Sequence, residues 1–205
     1  MKRKMSLFPT LPVIFLFFIA SCTTTLTNVW KYENYQGAPF KKVFLLVALQ
    51  NPSFKALLED EFVSQLKYHG TDSVVSYGFI LYHYLSDKES IALNIKELEA
   101  DAVLIVSLIK IEENNIYIPE QNFIIPTWYY DWYSYYSRSL RYMQIPKNND
   151  ENYFAIMETN MYDTKNEKLI WFARSEIVKI TCGCLEIKPV VKVIIDKLSS
   201  DQLIK

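Results

Sequence analysis

A mixed α/β sheet is the fold this sequence predicts. The order is β-α-β-α-β, then an antiparallel hairpin and a C-terminal helix, arranged as a two-layer sandwich. Three observations lead there. Two nearly unbroken apolar runs, 43–49 and 103–109, have the length and composition of strands buried on both faces. Between them, apolar residues recur at helical spacing: Phe54, Leu57, Leu58, Phe62 and Leu66, then Ile91, Ile95 and Leu98. After them, two alternating stretches, 153–162 and 169–180, flank the turn-rich segment 163–168. Strand, helix and strand in this rhythm imply parallel pairing through right-handed crossovers.

The chain opens with Lys2, Arg3 and Lys4 ahead of an apolar run over 7–19. That run is too short to cross a hydrocarbon layer of roughly 30 Å, which takes about 20 residues, and Pro9 and Pro12 weaken it as a helix. It reads as a secretory signal peptide over 1–21. Its end, Ile19-Ala20-Ser21-Cys22, resembles the bacterial lipobox. That resemblance implies diacylglycerol on the Cys22 sulfur, cleavage before Cys22 and a lipidated mature terminus held in the bilayer. Each buried acyl CH₂ contributes about 0.8 kcal/mol, and two chains hold a protein stably. The alternative is an ordinary cleaved signal with an incidental Cys22. Residues 22–40, with Thr23-Thr24-Thr25, Gly37 and Pro39, read as a tether leading towards an edge strand. The single α/β domain is expected over 41–205, with an aromatic insertion at 114–150.

Within the domain, Asn51-Pro52 reads as a helix start. Asn caps free N–H groups, and Pro at the first helical position gives up no hydrogen bond. Gly70 supplies the left-handed stop, and His69 beside it is placed to meet terminal carbonyls. A short strand follows over 72–77. Ser86 to Glu89 fits a capping box with Ser86 as the cap. Asp101-Ala102 leads into the central strand. Leu169, Trp171, Ala173 and Ile177 share one parity of the returning strand. Pro189 is expected to open the last helix, with Val191, Ile194, Ile195 and Leu198 facing inward.

The chain has 205 residues, half of them hydrophobic, and a formal net charge of −1. The length allows a sizeable core, and the near-neutral charge argues against a nucleic-acid binder, which would show a basic face. Besides Cys22, the cysteines are Cys182 and Cys184, either two small thiols or a strained disulfide. No metal set is visible, because His69 and His83 lack ligand spacing. The four glycines stand far apart, so no phosphate-cradling loop exists, and no nucleophile elbow is present. No cofactor is implied. Glu112 and Glu113 follow the central strand, where α/β sheets often bind ligands. Asp131 lies among aromatics, an arrangement known from sugar-processing sites. A hydrolase would need two carboxylates flanking its substrate, and nothing in the sequence sets their separation.

The insertion is the best functional candidate. Trp128, Tyr129, Tyr130, Trp132, Tyr133, Tyr135 and Tyr136 are followed by Arg138 and Arg141. Flat apolar rings with polar tips suit protein interfaces, headgroup layers and stacking on sugars, or they fold back as packing over the sheet. Helical spacing of Trp128, Trp132 and Tyr135 is consistent with a short amphipathic helix.

Three stretches carry a further likeness: Glu99-Ala100-Asp101-Ala102-Val103-Leu104, the hairpin from Met161-Tyr162-Asp163-Thr164 to Lys168-Leu169-Ile170-Trp171, and the aromatic insertion between them. With the lipobox they resemble a group of uncharacterised bacterial envelope lipoproteins. The layout is similar to the periplasmic domain of the curli-secretion channel lipoprotein and the amino-terminal domain of the Tol-system translocation protein. The resemblance implies an α/β sandwich in the envelope and transfers no catalytic residue. The reading is therefore a membrane-anchored, non-enzymatic binding or assembly module. Its expected partners are the bilayer, through acylated Cys22, and an envelope protein. Thr23 after the anchor, where aspartate would signal retention, resembles sorting to the outer membrane, facing the periplasm. The second reading is a protein binding envelope glycans or peptidoglycan, and the third a hydrolase.

Overall fold

The apolar run predicted as a strand forms β2 (Lys42–Ala48), and its two sides belong to two different cores. Val43, Leu45 and Val47 face one way, Phe44, Leu46 and Ala48 the other, and all six are fully buried. The computed structural model describes residues 25–49, 51–78, 87–111, 125–142, 153–175, 178–181, 184–185 and 187–205. The expectations for the signal peptide, Cys22, His83, Glu112, Glu113 and Cys182 lie outside the described residues.

β2 pairs in parallel with β3 (Asp72–Val75) and β4 (Ala102–Ile111). β4 pairs antiparallel with β5 (Tyr153–Asp163), which turns back into β6 (Leu169–Ser175). β1 (Leu26–Lys31) closes that side as an antiparallel edge strand on β6. The sheet order is β1-β6-β5-β4-β2-β3, with β7 (Val178–Thr181) on β5 and β8 (Cys184–Leu185) on β7. The mixed sheet predicted from sequence is thus present. One boundary is corrected: the expected tether over 22–40 contains β1, so the fold already holds the chain at Leu26. The strand went unread because its residues are only partly buried and form no apolar run.

One face carries α1 (Pro52–Tyr68) and α4 (Ile187–Ser200). Leu58, Phe62 and Leu66 of α1 and Val191, Ile194 and Leu198 of α4 bury there against Leu104, Val106 and Trp171. The predicted start of α1 is seen: Asn51 Oδ1 accepts from Phe54 N at 3.1 Å. Gly70 takes φ +78° just past its end, a conformation that costs a residue without Cβ little. His69 ends the helix through its backbone N–H, and its imidazole Nε2 lies 3.3 Å from Asp196. α4 begins at Ile187, two residues before Pro189. Pro still falls in the first turn, where a missing N–H breaks no helical bond.

β3 ends at Val75, opposite Leu45, so among the described residues no strand lies beside the next outward backbone groups of β2, on Val47. Two side chains of α1 replace it. Lys55 Nζ donates to Val47 O at 3.1 Å, and Val47 N donates to Glu59 Oε1 at 3.3 Å. The pair is buried, with Nζ 3.2 Å from Oε1, and Ser76 Oγ and Tyr77 N also donate to Glu59. Burial pushes the Lys55 ammonium below its ordinary pKa, and Glu59 opposes that shift.

The opposite face carries α2 (Lys88–Glu97) and the aromatic segment. The cap of α2 is Asp87, whose carboxylate accepts from Glu89 N and Ser90 N, and not the expected Ser86. A short carboxylate adjoining the first turn reaches these N–H groups directly and adds charge complementary to the helix terminus.

Candidate functional site: the aromatic segment and the polar row beneath it

The aromatic segment comprises a 3₁₀ turn (Thr127–Tyr130) and α3 (Trp132–Tyr142). Asp131 joins them, and its Oδ1 accepts from Ser134 N at 2.6 Å. Burial works against its charge, but the Ser134 donors and nearby Lys88 hold its carboxyl below the ordinary value. Asp131 is therefore occupied as a helix-capping residue.

Beneath the segment, three polar side chains stand in one row across the sheet. Ser107 of β4 is opposite Glu158 of β5, and Glu158 is opposite Arg174 of β6. Glu158 is 2 % exposed. A carboxylate removed from water needs donors, and here they come from two directions. Within the sheet, Arg174 Nε donates to Oε1. From above, the Tyr129 hydroxyl lies 2.8 Å from Oε2 and 3.0 Å from Oε1, and the Tyr135 hydroxyl donates to Oε2 at 3.2 Å. Ser107 Oγ lies 2.6 Å from the Tyr135 oxygen. A phenol has one proton, so with that proton on Glu158, Ser107 is the donor. Further along β5, Tyr162 OH donates to Tyr129 O at 2.6 Å and accepts from Asn160 Nδ2 at 3.0 Å.

These contacts fix protonation. Burial, then the Glu158 charge, pushes the Tyr129 and Tyr135 hydroxyls up. Burial does the same at Tyr162, against the Asn160 hydrogen bond. At Arg174 burial opposes the charge, but Glu158 outweighs it and the pKa rises. Neutral phenols around a paired ion make a latch for the segment. Protons committed in this way do not form a general acid or base poised near neutral pH.

The nine residues predicted as a contact surface divide accordingly. Tyr129, Trp132, Tyr135 and Tyr136 are core side chains, 0–3 % exposed, and are corrected from surface to packing. Their rings close over Phe44, Ile105 and Phe172, an apolar patch that α2 covers only in part. Trp128 and Tyr133 are half-buried, Tyr130 is 48 % exposed, and Arg138 is exposed. The Arg138 guanidinium sits 5.4 Å above Trp128, which stacks on Tyr135 at 5.9 Å. Tyr130 meets Trp30 of β1 edge-on at 6.3 Å. Lys88 lies 5.8 Å from the Trp132 ring and 5.9 Å from that of Tyr133. Arg141 lies in the last turn of α3, and its side chain is outside the described residues.

Sequence reasoning missed Glu158, Arg174 and Ser107. A signal was present: a carboxylate and a guanidinium inside two apolar strands, at positions a hairpin turning at 163–168 sets opposite each other. Among the described residues no three His, Cys, Asp or Glu side chains converge as a metal site, and no helix is long and apolar enough to cross a membrane.

No family model matches the chain, and no curated protein sequence matches it. Solved structures with similar layouts include the PelC dodecamer from Paraburkholderia phytofirmans, at 12 % identity and TM-score 0.44 over 87 % of this chain and 98 % of that one. A point variant of that dodecamer gives 12 % and 0.45 over 87 % and 99 %. Lipoprotein GNA1162 from Neisseria meningitidis gives 9 % and 0.37 over 78 % and 98 %. Likeness this distant says nothing about what the present chain binds or where it acts.

Proposed function

We propose that this chain is a lipid-anchored envelope module that binds a protein partner and catalyses nothing. Cys22 is the acylated anchor, and the destination is the outer membrane, facing the periplasm. The contact surface is the outward part of the aromatic segment: Trp128, Tyr130, Tyr133 and Arg138. One observation carries this reading. The segment is pinned to the sheet through the row of Ser107, Glu158 and Arg174, so the rings left outside are held in place before a partner arrives. Pre-ordered Trp, Tyr and Arg side chains lose little freedom on binding and dominate interface energetics.

The test is copurification from native envelopes with Tyr130→Ala combined with Arg138→Ala. Both side chains are exposed, so the melting temperature should stay within a degree or two of the parent. A partner retained by the parent should be lost from this variant. Undiminished retention of that partner overturns the proposed surface. The anchor has a separate test. Cys22→Ala should move the protein from the membrane fraction to the soluble one, and a variant still on membranes after a high-salt wash refutes lipidation.

A further inference from the structure

On the same sheet face, at the amino end of β4, lies a cleft of about 410 Å³ between α2, the start of α3 and the β5–β6 turn. Its floor is Ile95, Val103, Trp132 and Tyr162, all at most 7 % exposed. Exposed Ala92 forms part of one wall. The volume falls within the range of about 300–1,000 Å³ typical of small-molecule sites, which pair an apolar lining with a few polar groups.

The rim decides which chemistry fits. Lys96 on α2 and Lys165 on the turn reach it from two walls, and so do Glu99 and Glu167. Asp101 and Asp163 lie deeper and are already engaged. Asp101 accepts from Lys41 N and Lys42 N at 2.8 and 2.9 Å, and Asp163 accepts from Lys165 N at 2.8 Å. Glu167 meets Lys88 at 4.0 Å, while Lys96, Lys165 and Glu99 have no side-chain partner among the described residues. Donors and acceptors therefore both border an apolar, partly aromatic floor. An anionic ligand would face Glu99, Asp101 and Asp163, and a cationic one the two lysines. A neutral polyhydroxylated ring satisfies both signs, since each hydroxyl donates and accepts. Its C–H face also suits an apolar floor containing aromatic carbon.

We infer that this cleft binds a neutral saccharide of one or two rings, at a site separate from the partner surface proposed above. The probes are chitobiose and cellobiose, with benzoate and benzylamine as charged apolar controls. They are titrated into the full lipidated chain in a detergent without a sugar headgroup, and read by saturation-transfer NMR and by tryptophan fluorescence, since Trp132 lines the cleft. At least one disaccharide should bind saturably. Ala92→Trp, which fills the cleft from an exposed helix position, should weaken that binding at least about tenfold, or about 1.4 kcal/mol. Tyr68→Ala, at an 85 % exposed position outside the cleft lining, should leave it unchanged. Saturable binding of neither sugar, equal binding by Ala92→Trp, or tighter binding of either charged probe overturns the inference.

Discussion

Replacing Glu158 with leucine removes the acceptor at the centre of the polar row while keeping an apolar side chain of similar length. Three donors then lose that carboxylate: Arg174 Nε and the hydroxyls of Tyr129 and Tyr135, the last of which keeps Ser107. The Arg174 side chain is only 12 % exposed, so its charge cannot rehydrate where it stands. Breaking a buried ion pair from one side costs about 3–5 kcal/mol. The phenol hydrogen bonds lost with the carboxylate add to this, though not additively, because they share one acceptor. For a domain of this size, 1 kcal/mol moves the melting point by about 2–4 °C, so a drop of about 6 °C or more is expected. Thermal unfolding measures that drop, and urea unfolding the free energy, both followed by far-UV and near-UV circular dichroism. The near-UV signal should change already in the native baseline, because Tyr129, Tyr135 and stacked Trp128 lose their fixed environment. Tyr129→Phe, which deletes one donor and leaves the ion pair, should cost less, about 1.5–3 kcal/mol. Combined with Glu158→Leu it should add little. A loss below about 1 kcal/mol for Glu158→Leu, with native near-UV signal intact, would refute the latch.

Three further outcomes follow from other parts of the molecule. Tyr129, Tyr135 and Tyr162 have hydroxyls raised above the ordinary 10.0. Their contribution is therefore complete below pH 10 and is lost as pH rises further, because the unfolded chain releases those protons first. Absorbance at 295 nm should show these phenols ionising only together with unfolding, and smooth titration of all 15 tyrosines in an intact fold would contradict this. Glu59→Ala strands Lys55 and the Val47 N–H in the core and should cost about 3–5 kcal/mol in urea unfolding, whereas a shift under about 1 kcal/mol would show that water reaches the site. Gly37→Ala drives a methyl into the Tyr35 hydroxyl and displaces that ring from its stack on Phe40. A loss of about 0.5–1.5 kcal/mol is expected, and an unchanged urea midpoint would show that Tyr35 moves freely.

Why some of this was legible in the sequence and some was not comes down to range. The run 43–49, the Asn51-Pro52 start, the Gly70 stop and the alternation around 163–168 are local patterns, each set by neighbours a few residues away, and each appears in the structure. β1 escaped because it is recognised by its partner: Trp30 is opposite Phe172, across more than 140 residues. The Asp87 cap escaped because Ser and Asp cap helices about equally well, and only backbone geometry chooses between neighbours. The polar row escaped for the reason β1 did. Glu158 takes donors from 16, 23 and 29 residues away, and none of those separations leaves a periodic trace.

The same row explains why composition misled about the insertion. A dense run of Trp and Tyr reads as a surface for a partner when taken alone. Sheet packing requires that the face opposite α1 and α4 also be covered, and α2 is too short to do so. The insertion supplies the remainder with tyrosines, and buried phenols need acceptors. An apolar strand cannot offer them, so Glu158 sits within β5 and Arg174 within β6 to balance its charge. Burial of Tyr129 and Tyr135 and the presence of Glu158 are thus one requirement seen from two sides. It follows that removing Trp132 or Tyr135 tests stability, and only changes confined to Tyr130, Tyr133 and Arg138 test recognition.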